Sequence, residues 1–158
     1  MQIKNILRNS GALCAFLVLT LAVANIINSL VLHFGAFLAA LPKSSTMSLP
    51  LPNWLSSVFL YLTVCAAWLI WMKNSSFFSS SLRWYYAQLL FNILAAVVLY
   101  FQSVPLIILF SALSIICALQ ATRLFYREDK IAALLMVPQI LVACNGILSF
   151  AYPLFMSM

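Results

Sequence analysis

Apolar residues along this chain run in long blocks, separated by short polar or proline-containing breaks. A helix that crosses a hydrocarbon layer about 30 Å thick at 1.5 Å per residue needs about 20 apolar residues. Five blocks approach or meet that length, at approximately residues 11–33, 55–72, 84–101, 105–122 and 131–150. The breaks are of the kinds that end helices. Pro42, Pro50 and Pro52, with Lys43, Ser44, Ser45 and Asn53, predict a true loop, and the Ser-rich stretch 73–81 predicts a second. Ser103 ahead of Val104 and Pro105 predicts a helix cap with proline in the first turn, which divides one very long apolar stretch into two helices joined tightly. The most charged segment, 123–130, makes the fourth connection. The pattern predicts one all-α domain over residues 1–158, an integral membrane bundle of five transmembrane helices.

Composition agrees with this pattern and narrows it. Hydrophobic residues make up 66% of the chain and charged residues only 6%, where a soluble domain carries about a quarter. That few charges cannot cover a surface in water, so the apolar excess must face lipid. The net charge of +6 comes from eight basic residues spread thinly between apolar blocks. No basic stripe exists to follow a phosphate backbone, which argues against nucleic acid as a partner. The charges sort by side instead. With five spans, Lys4, Arg8, Lys73, Arg83, Arg123, Arg127 and Lys130 share one side, and Lys43 stands alone on the other. Lys and Arg in short loops stay cytoplasmic, which predicts a cytoplasmic amino terminus and a periplasmic carboxyl terminus in a bacterial inner membrane. Lys4 and Arg8 ahead of Ala22-Val23-Ala24 have the look of a secretory signal, but the apolar run continues past that point and is expected to remain as a span. Trp68, Trp71, Trp84, Tyr85 and Tyr86 are expected as an aromatic belt at the inner boundary, with Trp54, Tyr100 and Tyr152 at the outer one.

The available chemistry is sparse. Glu128 and Asp129 are the only acidic residues, and both lie in the fourth connection. No span holds a carboxylate, which argues against proton-coupled transport and against acid–base hydrolysis. His33 is the lone histidine, and Cys14, Cys65, Cys117 and Cys144 stand singly inside apolar blocks. The spacing fits neither a metal site nor a disulfide framework, and the cysteines are expected as small packing residues. No enzymatic activity and no cofactor are expected. What remains inside the spans is neutral: Asn25 and Asn28, Gln88 and Asn92, Gln120, Gln139 and Asn145. Amides in hydrocarbon must find partners, so they should face the bundle interior. Gln88 and Asn92 are four apart and share a helix face, which Tyr85 and Ala95 extend. Such amides serve either as glue between helices or as the polar edge of an apolar ligand pocket. Pro138, early in the fifth span, frees a backbone carbonyl, and Gln139 follows it.

Tyr85, Gln88, Leu89 and Asn92 are similar to the Y-x-x-Q-L-x-x-N signature of the tryptophan-rich sensory protein / translocator protein (TspO/MBR) family. Phe125-Tyr126, Ala132-Ala133, Leu134-Leu135 and Pro138 resemble that family's approach to its fifth helix. Pro52-Asn53-Trp54 resembles its P-x-W entry to helix two, and Leu69-Ile70-Trp71 its L-V-W exit. The resemblance covers roughly residues 50 to 150. It implies a five-helix bundle, commonly a homodimer, that binds a flat hydrophobic small molecule, a tetrapyrrole such as protoporphyrin or a sterol, under the loop between helices one and two. It makes Trp54, Gln88, Asn92, Pro138 and Gln139 the expected ligand contacts. Where the family carries tryptophans in helices three and five, this chain has Ala95 and Val142, and the Ser-rich stretch 43–48 replaces the aromatic lid. The family's light-dependent porphyrin breakdown is therefore not expected. Two functions fit these observations: a sensor, carrier or scavenger of a hydrophobic ligand, and a small structural or regulatory membrane subunit without one.

Overall fold

The computed structural model describes residues 2–40 and 53–156, which are helical apart from short connections, with no strand among them. Helix α1 is Gln2–Ala40, α2 Asn53–Asn74, α3 Ser80–Val97, α4 Val104–Glu128 and α5 Lys130–Met156, with a 3₁₀ turn at Val98–Phe101 after α3. All five are long and apolar enough to cross a membrane. The chain is a multi-pass membrane bundle. Large apolar side chains such as Leu90, Leu109, Ile116, Leu119, Leu134 and Leu141 point away from the bundle. In water that would be an aggregating surface, whereas in lipid it is the matched one.

The helices outrun the predicted spans at nearly every end. The polar flanks 2–10, 80–83 and 123–128 are helical too, because a helix that leaves hydrocarbon keeps its internal hydrogen bonds and has no reason to stop at the boundary. Punctuation falls where local chemistry demands it. Ser79 caps α3, its hydroxyl accepting from Leu82 N at 3.4 Å. Ser103 occupies the cap position of α4 with Pro105 in the first turn, but its hydroxyl makes no capping bond; its carbonyl accepts from Ile107 N at 3.1 Å. Ser75 and Gln102, both at φ 51°, turn the chain sharply after α2 and after the 3₁₀ turn. The loop expected over residues 42–52, with Lys43, lies outside the described residues.

Neighbour relations define a ring. α1 lies against α2, α2 against α5, α5 against α4, α4 against α3, and α3 back against α1. Neighbouring axes about 9 Å apart place each of five helices about 8 Å from the ring's centre, so large side chains are needed to fill it. One half supplies them. Phe16, Ile70, Trp71, Leu82, Tyr85, Phe125 and Met136 are buried there, with Ala66, Ala67, Ala121, Ala132 and Ala133 letting the backbones approach. Phe77, on the α2–α3 connection, folds back so that its ring lies tilted against Phe16 and Trp71, with centroids 5.6 Å and 5.4 Å away.

This packing corrects two expectations. Tyr85 and Trp71 are core residues rather than members of an interfacial belt, with Tyr85 fully buried. Trp68 uses its indole N–H to hold the Asn9 carbonyl of α1 at 3.1 Å. Trp84 is exposed near the start of α3, and Trp54 and Tyr100 are exposed toward the other end of the bundle. Among the cysteines only Cys117 packs in the interior; Cys14 and Cys65 face outward. A thiol is apolar enough to face lipid at little cost, so the residue type did not determine the side.

Candidate functional site

The other half of the ring is hollow. A cavity of about 560 Å³ lies between all five helices, within the range that holds a drug-sized molecule. Its walls carry small or slender side chains where the packed half carries aromatic ones: Ala24 on α1, Ser57 on α2, Ser111 on α4, Ala143 and Gly146 on α5. A Cβ added at Gly146 would meet no atom within 4 Å. The rest of the wall is largely aliphatic, with Val23, Ile27, Leu60, Leu89, Ile107, Ile108, Val142 and Ile147.

The floor is a hydrogen-bonded pair. Thr20 donates its hydroxyl to the Phe16 carbonyl at 2.8 Å, a local bond available to a mid-helix threonine. Its oxygen then accepts from the buried Tyr85 hydroxyl at 3.1 Å. Tyr85 thereby joins α3 to α1 beneath the cavity, and Thr20 lines its bottom.

Every helix contributes a polar side chain to the wall: Asn25 and Asn28 from α1, Tyr61 from α2, Asn92 from α3, Ser111 from α4 and Gln139 from α5. Asn92 is partly committed. Ser114 on α4 donates to its Oδ1 at 2.7 Å, and the same hydroxyl lies 3.3 Å from the Gln88 carbonyl. Among the described residues, Asn25, Asn28, Tyr61, Ser111 and Gln139 make no side-chain hydrogen bond. Uncommitted amides cost free energy in an apolar setting, so their convergence on one space is the main chemical feature of the bundle.

Of the five expected ligand contacts, the structure brings two together on the cavity wall, Asn92 and Gln139. Gln88 is buried beside the α3–α4 contact, where its Oε1 finds no partner among the described residues. Pro138 is half-buried next to Gln139, and Trp54 is exposed at the start of α2; neither lines the cavity. The Ser-rich stretch 43–48 lies outside the described residues. Tyr61, Ser57 and Ser111 were missed because a lone hydroxyl in an apolar span has no spacing that marks it. Asn25 and Asn28 were visible as buried-seeking amides, but nothing local said which neighbour they would face.

Among the described residues the charged chemistry sits at the opposite end. Lys73 closes α2 and donates to the Glu128 backbone carbonyl at 2.8 Å, with Asp129 Oδ2 at 3.1 Å from its ammonium. The Glu128 carboxylate accepts from Asn74 at 2.6 Å and from the Ser81 hydroxyl. Asp129 caps α5, its Oδ1 accepting from Ile131 N at 2.8 Å and Ala132 N at 3.3 Å. The hydrogen bond from Lys73 holds the Asp129 carboxyl below its ordinary range; burial opposes the shift, and the two backbone N–H groups reinforce it. Both acids of the chain are thus spent on a clasp joining the ends of α2, α3, α4 and α5. No group of His, Cys, Asp or Glu among the described residues is arranged to hold a metal ion.

The architecture and site define a class: a five-helix membrane bundle, solid and clasped at one end and hollow at the other. No protein-family model, curated protein or solved structure matches the chain.

Proposed function

We propose that this protein binds a flat hydrophobic small molecule, of tetrapyrrole or sterol-like shape, in the cavity, and acts as a sensor, carrier or scavenger for it. The observation that carries this reading is the convergence on an otherwise apolar space of polar side chains from five helices, those from α1, α2, α4 and α5 including uncommitted ones. Apolar walls supply most of the binding, and one or two hydrogen bonds suffice to orient a rigid ligand. The resemblance of Tyr85, Gln88, Leu89 and Asn92, and of the approach to Pro138, supports reading the chain as a divergent TspO/MBR-like protein, with a homodimer as its expected assembly. The gathering of Lys4, Arg8, Lys73, Arg83, Arg123, Arg127 and Lys130 toward the clasped end supports a cytoplasmic clasp and an outward-facing cavity in a bacterial inner membrane.

The second reading is a structural or regulatory membrane subunit, and the Asn92–Ser114 bond favours it, since that contact joins α3 to α4 without any ligand. Titration of the detergent-solubilised chain with protoporphyrin IX, followed by tryptophan quenching, and displacement with cholesterol separate the two. The binding reading expects saturable quenching that Asn92→Ala weakens, Gly146→Phe abolishes and Trp54→Ala leaves in place. Absence of saturable binding by both probes, or indifference to Gly146→Phe, leaves the subunit reading standing alone.

A further inference from the structure

We infer that the cavity selects an uncharged occupant, an apolar body whose polar atoms are carbonyl, ether or hydroxyl oxygens, and discriminates against carboxylates. This rests on the binding reading above and narrows it.

The walls hold amides, hydroxyls and hydrocarbon, and among the described residues no side chain lining the cavity carries a charge. The Lys and Arg side chains of the described residues belong to the clasped end, at the start of α1 and around the α2–α3 and α4–α5 connections. Lys73 is held by Glu128 and Asp129 at the far end of the bundle, and Arg83 spends its Nε–H on the Phe78 carbonyl at 3.1 Å, also at that end. An ionised carboxylate brought into such a space loses its water and gains no cation, which opposes its entry or forces protonation. A neutral oxygen loses far less and is well met. Because the Asn92 Oδ1 already accepts from Ser114, the hydrogens of its Nδ2 remain to be given to an acceptor. Gln139 and Asn25 each offer both a donor and an acceptor.

The shape of the space adds a second restriction. Its lining on α5 runs from Gln139 to Ile147 and on α1 from Thr20 to Asn28, a depth of about 12 Å at 1.5 Å per residue. Polar groups occur at both levels, with Asn92, Ser111 and Gln139 toward the floor and Asn28 and Ser57 nearer the other end of the lining. An elongated rigid molecule with oxygen at one or both ends fits this distribution, whereas a ligand with an anionic head fits neither level.

The test uses one ring system in two charge states. The solubilised full chain is titrated at pH 8 with protoporphyrin IX dimethyl ester and, separately, with the free acid, reading tryptophan quenching. The ester should bind saturably, and the free acid at least about tenfold more weakly, a preference worth about 1.4 kcal/mol. Gly146→Phe should remove the saturable phase for the ester, and Gln139→Arg should reverse the preference by supplying a cation. Equal or tighter binding of the free acid to the unaltered chain overturns this inference and leaves the binding reading intact. An unchanged preference in a Gln139→Arg protein that retains its helical circular dichroism does the same. Failure of both probes to saturate, or an ester phase that survives Gly146→Phe, overturns both.

Discussion

The two ends of this ring are made from the same apolar vocabulary and reach opposite outcomes. At the clasped end, Phe16, Tyr85 and Phe125 fill the centre, and small residues elsewhere on the facing helices bring the backbones in. At the other end, Ala24, Ser57, Ser111, Ala143 and Gly146 fall at positions that face the cavity, and the aliphatic side chains around them leave the space between them open. The contrast teaches that residue size at inward positions, rather than overall hydrophobicity, decides where a membrane bundle is solid. In lipid no water is expelled when helices meet, so packing itself is the main attraction. A half that forgoes packing forgoes stability, and the clasped end must carry the fold.

The sharpest way to break this comparison is to hollow out the solid half. Phe125→Ala should cost about 2–3 kcal/mol, somewhat below the value for a soluble core because the transfer part of the penalty is small in lipid. Val142→Ala, on the cavity wall, should cost under about 1 kcal/mol, since its neighbours already leave space. Thermal unfolding in detergent, read by circular dichroism, measures both, and equal losses would mean that the two halves do not differ.

A smaller effect is expected at the clasp. Glu128→Ala removes the acceptor for Asn74 and Ser81 and should destabilise by about 1–2 kcal/mol. Its companion is a pH dependence. The Asp129 carboxyl is held below its unfolded value, so its contribution is fully present above that value and is lost as pH falls through the lowered folded one. Melting temperature should therefore gain an acid-side decline below about pH 4 that Asp129→Asn lacks. A decline shared by the Asn variant would remove Asp129 from the account. The smallest change is in the opposite direction. Gly146→Ala meets open space and removes a flexible helix position, so it should stabilise by about 0.5–1 kcal/mol.

How far these features were legible in the sequence differs by level. The five spans were visible because lipid imposes a length on an apolar run, and Ser103 with Pro105 marked the division between two of them. Helix ends were not, since the polar flanks continue the hydrogen-bond ladder into the interface without any stop signal. Asn92 and Gln139 were legible as interior amides, because few other places suit an amide in a span. Tyr85 and Trp71 misled, as an aromatic near a charged loop has the same local context whether it points to the headgroups or into the ring. Thr20, distant in the chain from Tyr85, and Phe77, folded back from the α2–α3 connection onto Trp71, decide between these fates.

Helix α1 has 39 residues where α2 has 22, so it is about 58 Å long against about 33 Å for its neighbour. The Trp68–Asn9 contact aligns the two near the clasp, which puts the surplus at the far end. A rod nearly twice the thickness of the hydrocarbon cannot stand upright within it. It must lean strongly or stand proud of the membrane like a mast. Because Thr20 to Asn28 form one wall of the hollow half, the slope of that mast sets how wide the hollow is.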